Sequence, residues 1–471
     1  MSWKERLQPL KPYALLLLLQ LLIHASHLFK PASGNHVWRQ CNSLALAKNY
    51  AEESMDIRYP RIDKRYGNNG ICGPSFISYE YGLALLYKVF GFHETLFRFW
   101  SFLLCLAVVW GWFRFLETRV GEAWGLLGAA SLFGFPEFYY HSINAVPDLL
   151  ALAAGVWGVN LWAERRLGWA FLLLTLATAT KLLFALFWVF AWVQAIRRKE
   201  NGLTTTAMLL ASVAAAALWY VWADRLNAVH GLWEFLNETR WALSGEQAVR
   251  LFLQNAIHDV PLTWVGPLFA IPLLLGFYRY ARRGDAGFWL QILGALVLYL
   301  ALQRQFEHHG YYILVFVPFA SLLLLRSLES MRLGWAWALV GFSIIAAALQ
   351  MERNFYGEQR RVSETLLNSE YRAQREALSA ERSVWLVGPD PTGCVAFYYT
   401  GAKGYPWYRA DESRELLGPF ARAQSGVFQH PAQGIITDDA PAARRLAVDL
   451  GWQLDSLGSV GEWVWFGLEV R

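Results

Sequence analysis

The chain has 471 residues, of which 55% are hydrophobic and only 17% charged, with a formal net charge of +5. A soluble domain carries about 25% charge, so this balance excludes an ordinary water-soluble globule. It also argues against nucleic acid as a partner, because Arg and Lys stand in short clusters at the ends of apolar runs and not along one solvated face.

In chain order, Met1-Ser-Trp-Lys-Glu-Arg6 precedes a leucine-rich run to about Phe29. The run resembles a signal peptide but lacks a clear small-residue cleavage site, so it reads as an uncleaved anchor. Lys4, Arg6 and Lys11 place its start in the cytoplasm by the positive-inside bias. Further apolar runs suited to crossing a bilayer cover 98–116, 122–139, 149–163, 167–180, 182–197, 205–223, 259–278, 286–303, 311–327 and 333–350. The expected fold is therefore a polytopic α-helical membrane protein of about 11 transmembrane helices, with a small C-terminal extracytoplasmic α/β domain.

Basic clusters fall at Arg114/Arg119, Arg165/Arg166, Arg197/Arg198/Lys199, Arg279/Arg282/Arg283 and Arg326/Arg332. If all face the cytoplasm, an even number of crossings separates each pair. That parity holds if the short stretch 81–92, interrupted by Lys88, lies on the membrane surface instead of crossing. The long outer loop is then 30–97. A second outer region, 224–258, is rich in Trp, His and acids and suits interfacial amphipathic helices. Shorter outer turns fall near 140–148, 180–181 and 304–310. The expected division is a transmembrane domain over 1–351 and a soluble outer domain over 352–471.

In that tail, Ser383–Gly388 and Gly434–Thr437 read as strands, Thr392–Tyr399, Glu412–Gln424 and Ala440–Leu450 as helices, and Trp463–Val470 as a last strand. No dinucleotide glycine fingerprint occurs there. The four cysteines form no zinc pattern. Cys41 and Cys72 share the first outer loop, which permits a disulfide, although spacing alone cannot fix its geometry.

A connector does not need roughly 65 residues, since most connections run to about 4–6. The loop 30–97 is dense in polar and aromatic residues: His36-Val-Trp38-Arg39-Gln40-Cys41-Asn42, then Tyr59-Pro-Arg61-Ile-Asp63, then Tyr79-Glu80-Tyr81. Arg98, Asp148, Lys181, Arg304, Glu307, His308 and His309 lie at outer ends of spans, where ionisable groups tend to face a cavity. Each taken singly could instead be snorkelling or paired in a salt bridge. As a set, Arg39, Arg98 and Lys181 suit a phosphate, and Glu80, Asp63 or Asp148 could take a proton from a hydroxyl.

These residues resemble, in order and sidedness, the ArnT-like and protein-mannosyltransferase-like branch of the GT-C membrane glycosyltransferases. The resemblance is carried by His36-x-Trp38-Arg39-Gln40, Tyr59-Pro60-Arg61-Ile62-Asp63, Glu80 before a short helix and Arg98 opening a span. Pro147-Asp148, Lys181, His308-His309-Gly-Tyr311-Tyr312 and the tail run Asp390-Pro391 to Gly404 fit as well. It implies an enzyme that moves a sugar from a polyprenyl-phosphate donor to a lipid, glycan or protein acceptor. The site would lie at the outer face of a bacterial inner membrane, with the C-terminal domain in the periplasm. Such enzymes usually invert the anomeric centre, with a carboxylate as base and cations on the departing lipid phosphate. His36, Arg39, Asn42, Arg98, Lys181, His308, His309 and Tyr311 are then the candidates for donor binding, and Glu80, Asp63 and Asp148 for catalysis.

One departure matters. Relatives commonly carry Asp two residues after the Arg-Gln pair, and here that residue is Asn42, whose amide cannot act as a base. Either Glu80 or Asp63 replaces it, or the activity is altered. Asp148 resembles the family's second acidic position, which orients the acceptor or a metal. His36 or His309 could also ligate a divalent ion, without a clear ligand set. Two other readings stand beside the enzyme. One is a transporter or flippase for a lipid-linked sugar, which would be expected to show repeats and midplane charges. The other is a catalytically altered assembly protein of the same fold.

Overall fold

Backbone groups in a nonpolar medium must be satisfied within their own segment, which favours helix wherever apolar side chains run long. All eleven predicted runs are helical over most of their length in a computed structural model. The structure describes residues 10–65, 70–200, 202–230, 245–355, 372–390, 392–407 and 432–470. Among them, Glu94–Val120, Gly202–His230, Gly310–Leu328 and Leu333–Arg353 are long and apolar enough to cross a membrane. The shorter apolar helices are Lys11–His24, Asp148–Ala163, Leu167–Thr180, Leu182–Arg197 and Ala286–Ala301. The chain is a polytopic helical membrane protein with a small C-terminal sheet.

The run expected over 259–278 is not one straight helix. A π-helical stretch, Asn255–Trp264, contains Pro261, and the next helix begins at Pro267. The two segments meet at 117°. Proline removes the N–H that would continue the ladder and crowds the preceding turn, so the sequence Pro261…Gly266-Pro267 breaks the run. The run 122–139 is likewise interrupted, by a tight turn at Leu132–Gly134 before Pro136–His141. In the second outer region the Gly202–His230 helix continues past the expected end at 223. The Gly245–Gln254 helix follows, and residues 231–244 between them lie outside the described residues.

By their contacts the residues form two compact units. The first comprises Met1–Lys30, Glu94–Tyr220 and Asn237–Tyr356; the second comprises Pro31–His93, Val221–Leu236 and Gly357–Arg471. The units thus cut across chain order.

The first unit is a helical bundle with an aromatic core that includes Trp112, Trp162 and Trp188. A buried hydroxyl links helices there: Trp112 Nε1 donates to Ser321 Oγ at 3.2 Å, and Ser321 in turn donates to the Gly128 carbonyl at 3.0 Å. The basic clusters converge. Arg114 pairs with Glu164 at 2.6 Å, Arg165 with Glu200 at 2.9 Å, and Arg197 with Asp285. Arg279 donates to the carbonyls of Arg326 and Ser327 at 3.2 and 3.0 Å. Basic clusters far apart in sequence are therefore linked by these contacts.

In the second unit the stretch 30–97 is not an extended loop. It contains the helices Val37–Glu52 and Ser78–Phe90. The latter buries Tyr79, Glu80, Leu83 and Tyr87 on one face and exposes Leu85, Val89 and Phe90 on the other. The tail supplies a five-stranded sheet: β1 (Trp385–Val387), β2 (Gly404–Pro406), β3 (Gly434–Thr437), β4 (Trp452–Val460) and β5 (Trp463–Val470), in the order β2-β1-β3-β5-β4. β1 is parallel to β2 and β3, and β5 runs antiparallel to β3 and β4. The predicted strands at 385, 434 and 463 are present, as are the helices Val395–Thr400 and Ala440–Leu450. The predicted helix Glu412–Gln424 lies outside the described residues. All four cysteines are buried, and Cys41 and Cys72 form no disulfide with each other.

Candidate active site

The sequence-predicted residues fall into a cluster in each unit. In the second unit, Glu80 sits in the first turn of the Ser78–Phe90 helix and is 1% exposed. The Val37–Glu52 helix packs beside it and presents Arg39 and Ser43, four residues apart and so on one helical face. Ser43 Oγ donates to Glu80 Oε1 at 2.9 Å, and Arg39 Nη1 donates to Ser43 Oγ at 3.2 Å. Arg39 Nη2 also stands 3.8 Å from Glu80 Oε1. A buried carboxylate is tolerable only where such partners answer its charge. This constellation can orient one carboxylate oxygen while drawing little solvent. Ser43 was not among the sequence candidates, because a lone serine on an apolar helix carries no signal until its neighbour is known.

Asp63 is also buried, but it is tied into the chain: the Asn49 amide donates to its carboxylate at 3.0 Å, and its carbonyl accepts from Gly404 N at 2.9 Å. Asn42 is 8% exposed, on the same helix as Arg39. His36 precedes that helix with φ 55°, an uncommon left-handed conformation for a residue with a Cβ. Its ring lies edge-on to Trp38 at 6.4 Å.

In the first unit, Asp148 opens the Asp148–Ala163 helix and is 1% exposed. Lys181 stands where the Leu167–Thr180 helix breaks into an extended residue, and its Nζ reaches Asp148 Oδ1 at 2.7 Å. The same ammonium lies 3.6 Å from the centroid of the Tyr312 ring and 4.6 Å from that of Tyr311. A cation is thus held by one carboxylate and two aromatic faces. His309 stacks on Tyr311 with centroids 5.4 Å apart. The side chains of His308, Glu307 and Arg304 lie outside the described residues.

Arg98 is engaged by the chain itself. It is fully buried and donates to the carbonyls of Lys30 and Ile143 at 3.0 and 3.1 Å and to the Asn144 amide oxygen. Its planar fork of donors matches these fixed acceptors, so it braces the chain at 30 and 143–144. Among the described residues no three His, Cys, Asp or Glu side chains come together to hold a metal ion.

Sequence reasoning also missed Glu137 and His141, both buried, on the short helix Pro136–His141. Their i,i+4 spacing inside an apolar run was the available signal.

Comparison with solved structures locates this architecture. ArnT from Cupriavidus metallidurans in the apo state aligns with TM-score 0.62 and 12% identity, over 97% of this chain and 97% of that one. The oligosaccharyltransferase of Archaeoglobus fulgidus, complexed with Zn and sulfate, aligns with TM-score 0.52 and 10% identity, over 97% of this chain and 72% of that one. The same oligosaccharyltransferase, tethered to an acceptor peptide with an NVT sequon, aligns with TM-score 0.50 and 10% identity, over 100% of this chain and 75% of that one. The chain has the fold that ArnT and this oligosaccharyltransferase share. No protein-family model and no curated protein sequence matches it, so the likeness is one of structure. The likeness takes in helices and C-terminal sheet alike, because the ArnT alignment covers nearly the whole chain.

Proposed function

We propose that this protein is a glycosyltransferase that moves a sugar from a polyprenyl-phosphate donor to a lipid, glycan or protein acceptor at the outer face of a bacterial inner membrane. The observation that carries this reading is the buried Glu80 carboxylate, oriented by Ser43 and faced by Arg39, in a chain of GT-C fold. Glu80 takes the proton of the acceptor hydroxyl. The acceptor oxygen then bonds to the anomeric carbon as the bond to the phosphate oxygen breaks. The polyprenyl phosphate leaves with that electron pair, and the configuration inverts. Removing one general base costs about 10²–10⁴-fold in rate. Lys181, in the first unit's own cluster, is a cation suited to a polyprenyl phosphate, and Asp148 with the two tyrosine faces keeps its ammonium in place. Arg39 is a second cation suited to a phosphate or a sugar hydroxyl. Asp63, tied to Asn49, supports the loop in this reading.

Asn42 is the specific observation favouring a second reading, a GT-C-like assembly protein that binds donor without turning it over. One experiment separates the two. The purified protein is incubated with labelled polyprenyl-phosphate sugars and membrane extract, and the product that gains label is identified. Wild type transfers label. E80Q and K181A insert normally and lose transfer by at least about a hundredfold. Undiminished transfer by both variants sinks the assignment, and donor binding by wild type with no turnover favours the assembly protein.

A further inference from the structure

Two buried ionisable residues have no part in the roles just assigned. Glu137 and His141 are 2% and 1% exposed and stand one turn apart, with Glu137 Oε2 and His141 Nε2 separated by 3.2 Å. Placing a carboxylate and an imidazole in an apolar bundle is costly, and a well-packed apolar pair would often serve packing better. Such a pair therefore calls for an account beyond packing.

Their surroundings point to the segment His309–Tyr312. Gly310 lies so close over Glu137 that a Cβ there would be 2.6 Å from Oε1 and 2.8 Å from Oε2. The carboxylate fills the space that any other residue at 310 would need. The His141 ring meets Tyr311 edge-on, with centroids 5.6 Å apart and planes at 84°. Tyr311 and Tyr312 are the aromatic faces on which the Lys181 ammonium rests. A continuous path of contacts therefore runs from Glu137 and His141 through the Gly310-Tyr311-Tyr312 turn to Lys181 and Asp148.

We propose that Glu137 and His141 are positioning residues that seat the His309–Tyr312 turn, so that Tyr311 and Tyr312 hold the Lys181 ammonium and set the affinity for a polyprenyl phosphate. This rests on the assignment of Lys181 to that phosphate. The pair touches neither the sugar nor the acceptor. Its loss moves the cation and leaves the general base alone, so it weakens donor binding more than it slows the bound donor's reaction.

The test is binding of undecaprenyl phosphate to the purified full-length protein in nanodiscs, with wild type, E137Q, H141Q, G310A, K181A and the double variant E137Q/K181A. E137Q and H141Q keep side-chain volume and each weaken binding by about tenfold, one logarithmic unit of Kd. In transfer assays with a donor the protein turns over, both raise KM and leave kcat within about twofold. G310A unseats the same turn from the other side and gives the same loss, which keeps the test decisive if E137Q fails to insert. The double variant binds no more weakly than K181A, because both changes act on one cation. Wild-type binding by E137Q, H141Q and G310A, with K181A weakened, overturns the positioning role and leaves the Lys181 assignment standing. Undiminished binding by K181A overturns both. A lowered melting temperature with unchanged Kd marks the pair as packing alone and also overturns the proposal.

Discussion

Ser43 decides how Glu80 is presented. Its hydroxyl hydrogen bonds one carboxylate oxygen and accepts from Arg39, so both charged groups share one small hinge. S43A removes a hydrogen bond to a charged group, worth about 1.5–3 kcal/mol, and leaves both partners in place. The expected result is a fall in kcat of about tenfold or more with KM changed by less than about threefold, read by steady-state transfer kinetics. Wild-type kcat in S43A would show that Glu80 is not oriented this way. Glu80, Arg39, Asp148 and Lys181 stood out as candidates in the sequence because charge is conspicuous between apolar runs. Ser43 did not, since its importance depends on the Ser78–Phe90 helix packing beside it. Arg98 stood out in the same way as the charged candidates: a guanidinium at the end of a span looks like an anion site, and in the structure three carbonyl-type oxygens engage its donors.

At the scale of elements, apolar length revealed where helices run, and proline and glycine revealed where they break only once geometry was known. The stretch 259–278 has the composition of a span, yet Pro261 and Gly266-Pro267 divide it. β2 was illegible because Gly404-Tyr405-Pro406 is three residues long and carries a proline. β4 was obscured by a register shift at Ser456/Gly458, which disrupts simple alternation. Another element-scale contact has no sequence signal. Asn227, near the end of the Gly202–His230 helix, clamps the backbone of Gly73: Gly73 N donates to its Oδ1 at 2.7 Å, and its Nδ2 donates to the Gly73 carbonyl at 3.1 Å. A Cβ at residue 73 would lie 1.9 Å from the Ala223 carbonyl oxygen, so only glycine lets the strand-like segment reach the helix. Trp222 adds a bond from its indole to the Arg58 carbonyl at 2.8 Å. N227A leaves two buried backbone groups without this partner and is expected to lower stability by about 1–3 kcal/mol. Limited trypsin digestion reads the local effect: cleavage after Arg58, Arg61 or Arg65 accelerates in N227A and in G73A. Equal cleavage rates in wild type and N227A would mean that the clamp does not hold the loop.

For the molecule as a whole, compactness does not follow chain order. Residues 31–93 pack with the C-terminal tail as one unit, and Glu53 is a charged tie between the two stretches, beside Glu52, which stands 3.5 Å from Lys403. The Glu53 carboxylate meets Arg65 Nη2 at 2.5 Å and Lys403 Nζ at 2.6 Å. Burial alone would raise the Glu53 pKa, but the hydrogen bonds and charges of Arg65 and Lys403 outweigh it and hold the value below the ordinary 4.5. The sign of the pH effect follows. With the folded pKa below the unfolded one, the ionised form is favoured by folding, so the stabilisation is complete above about pH 4.5 and lost as pH falls through the folded value. The carboxylate is 28% exposed, and solvent screening reduces such a pair towards about 1 kcal/mol. E53Q removes the titration while keeping the shape. Thermal unfolding in detergent should show wild type more stable than E53Q by a constant margin between roughly pH 5.5 and 8, and the margin should close in acid below 4.5. Added salt should shrink the same margin at neutral pH, because exposed pairs are screened. A margin that persists unchanged well below pH 4.5 would show that Glu53 acts through packing, and that residues 31–93 and the tail are joined by other contacts, such as the backbone bonds between Gly404 and residues 63 and 65.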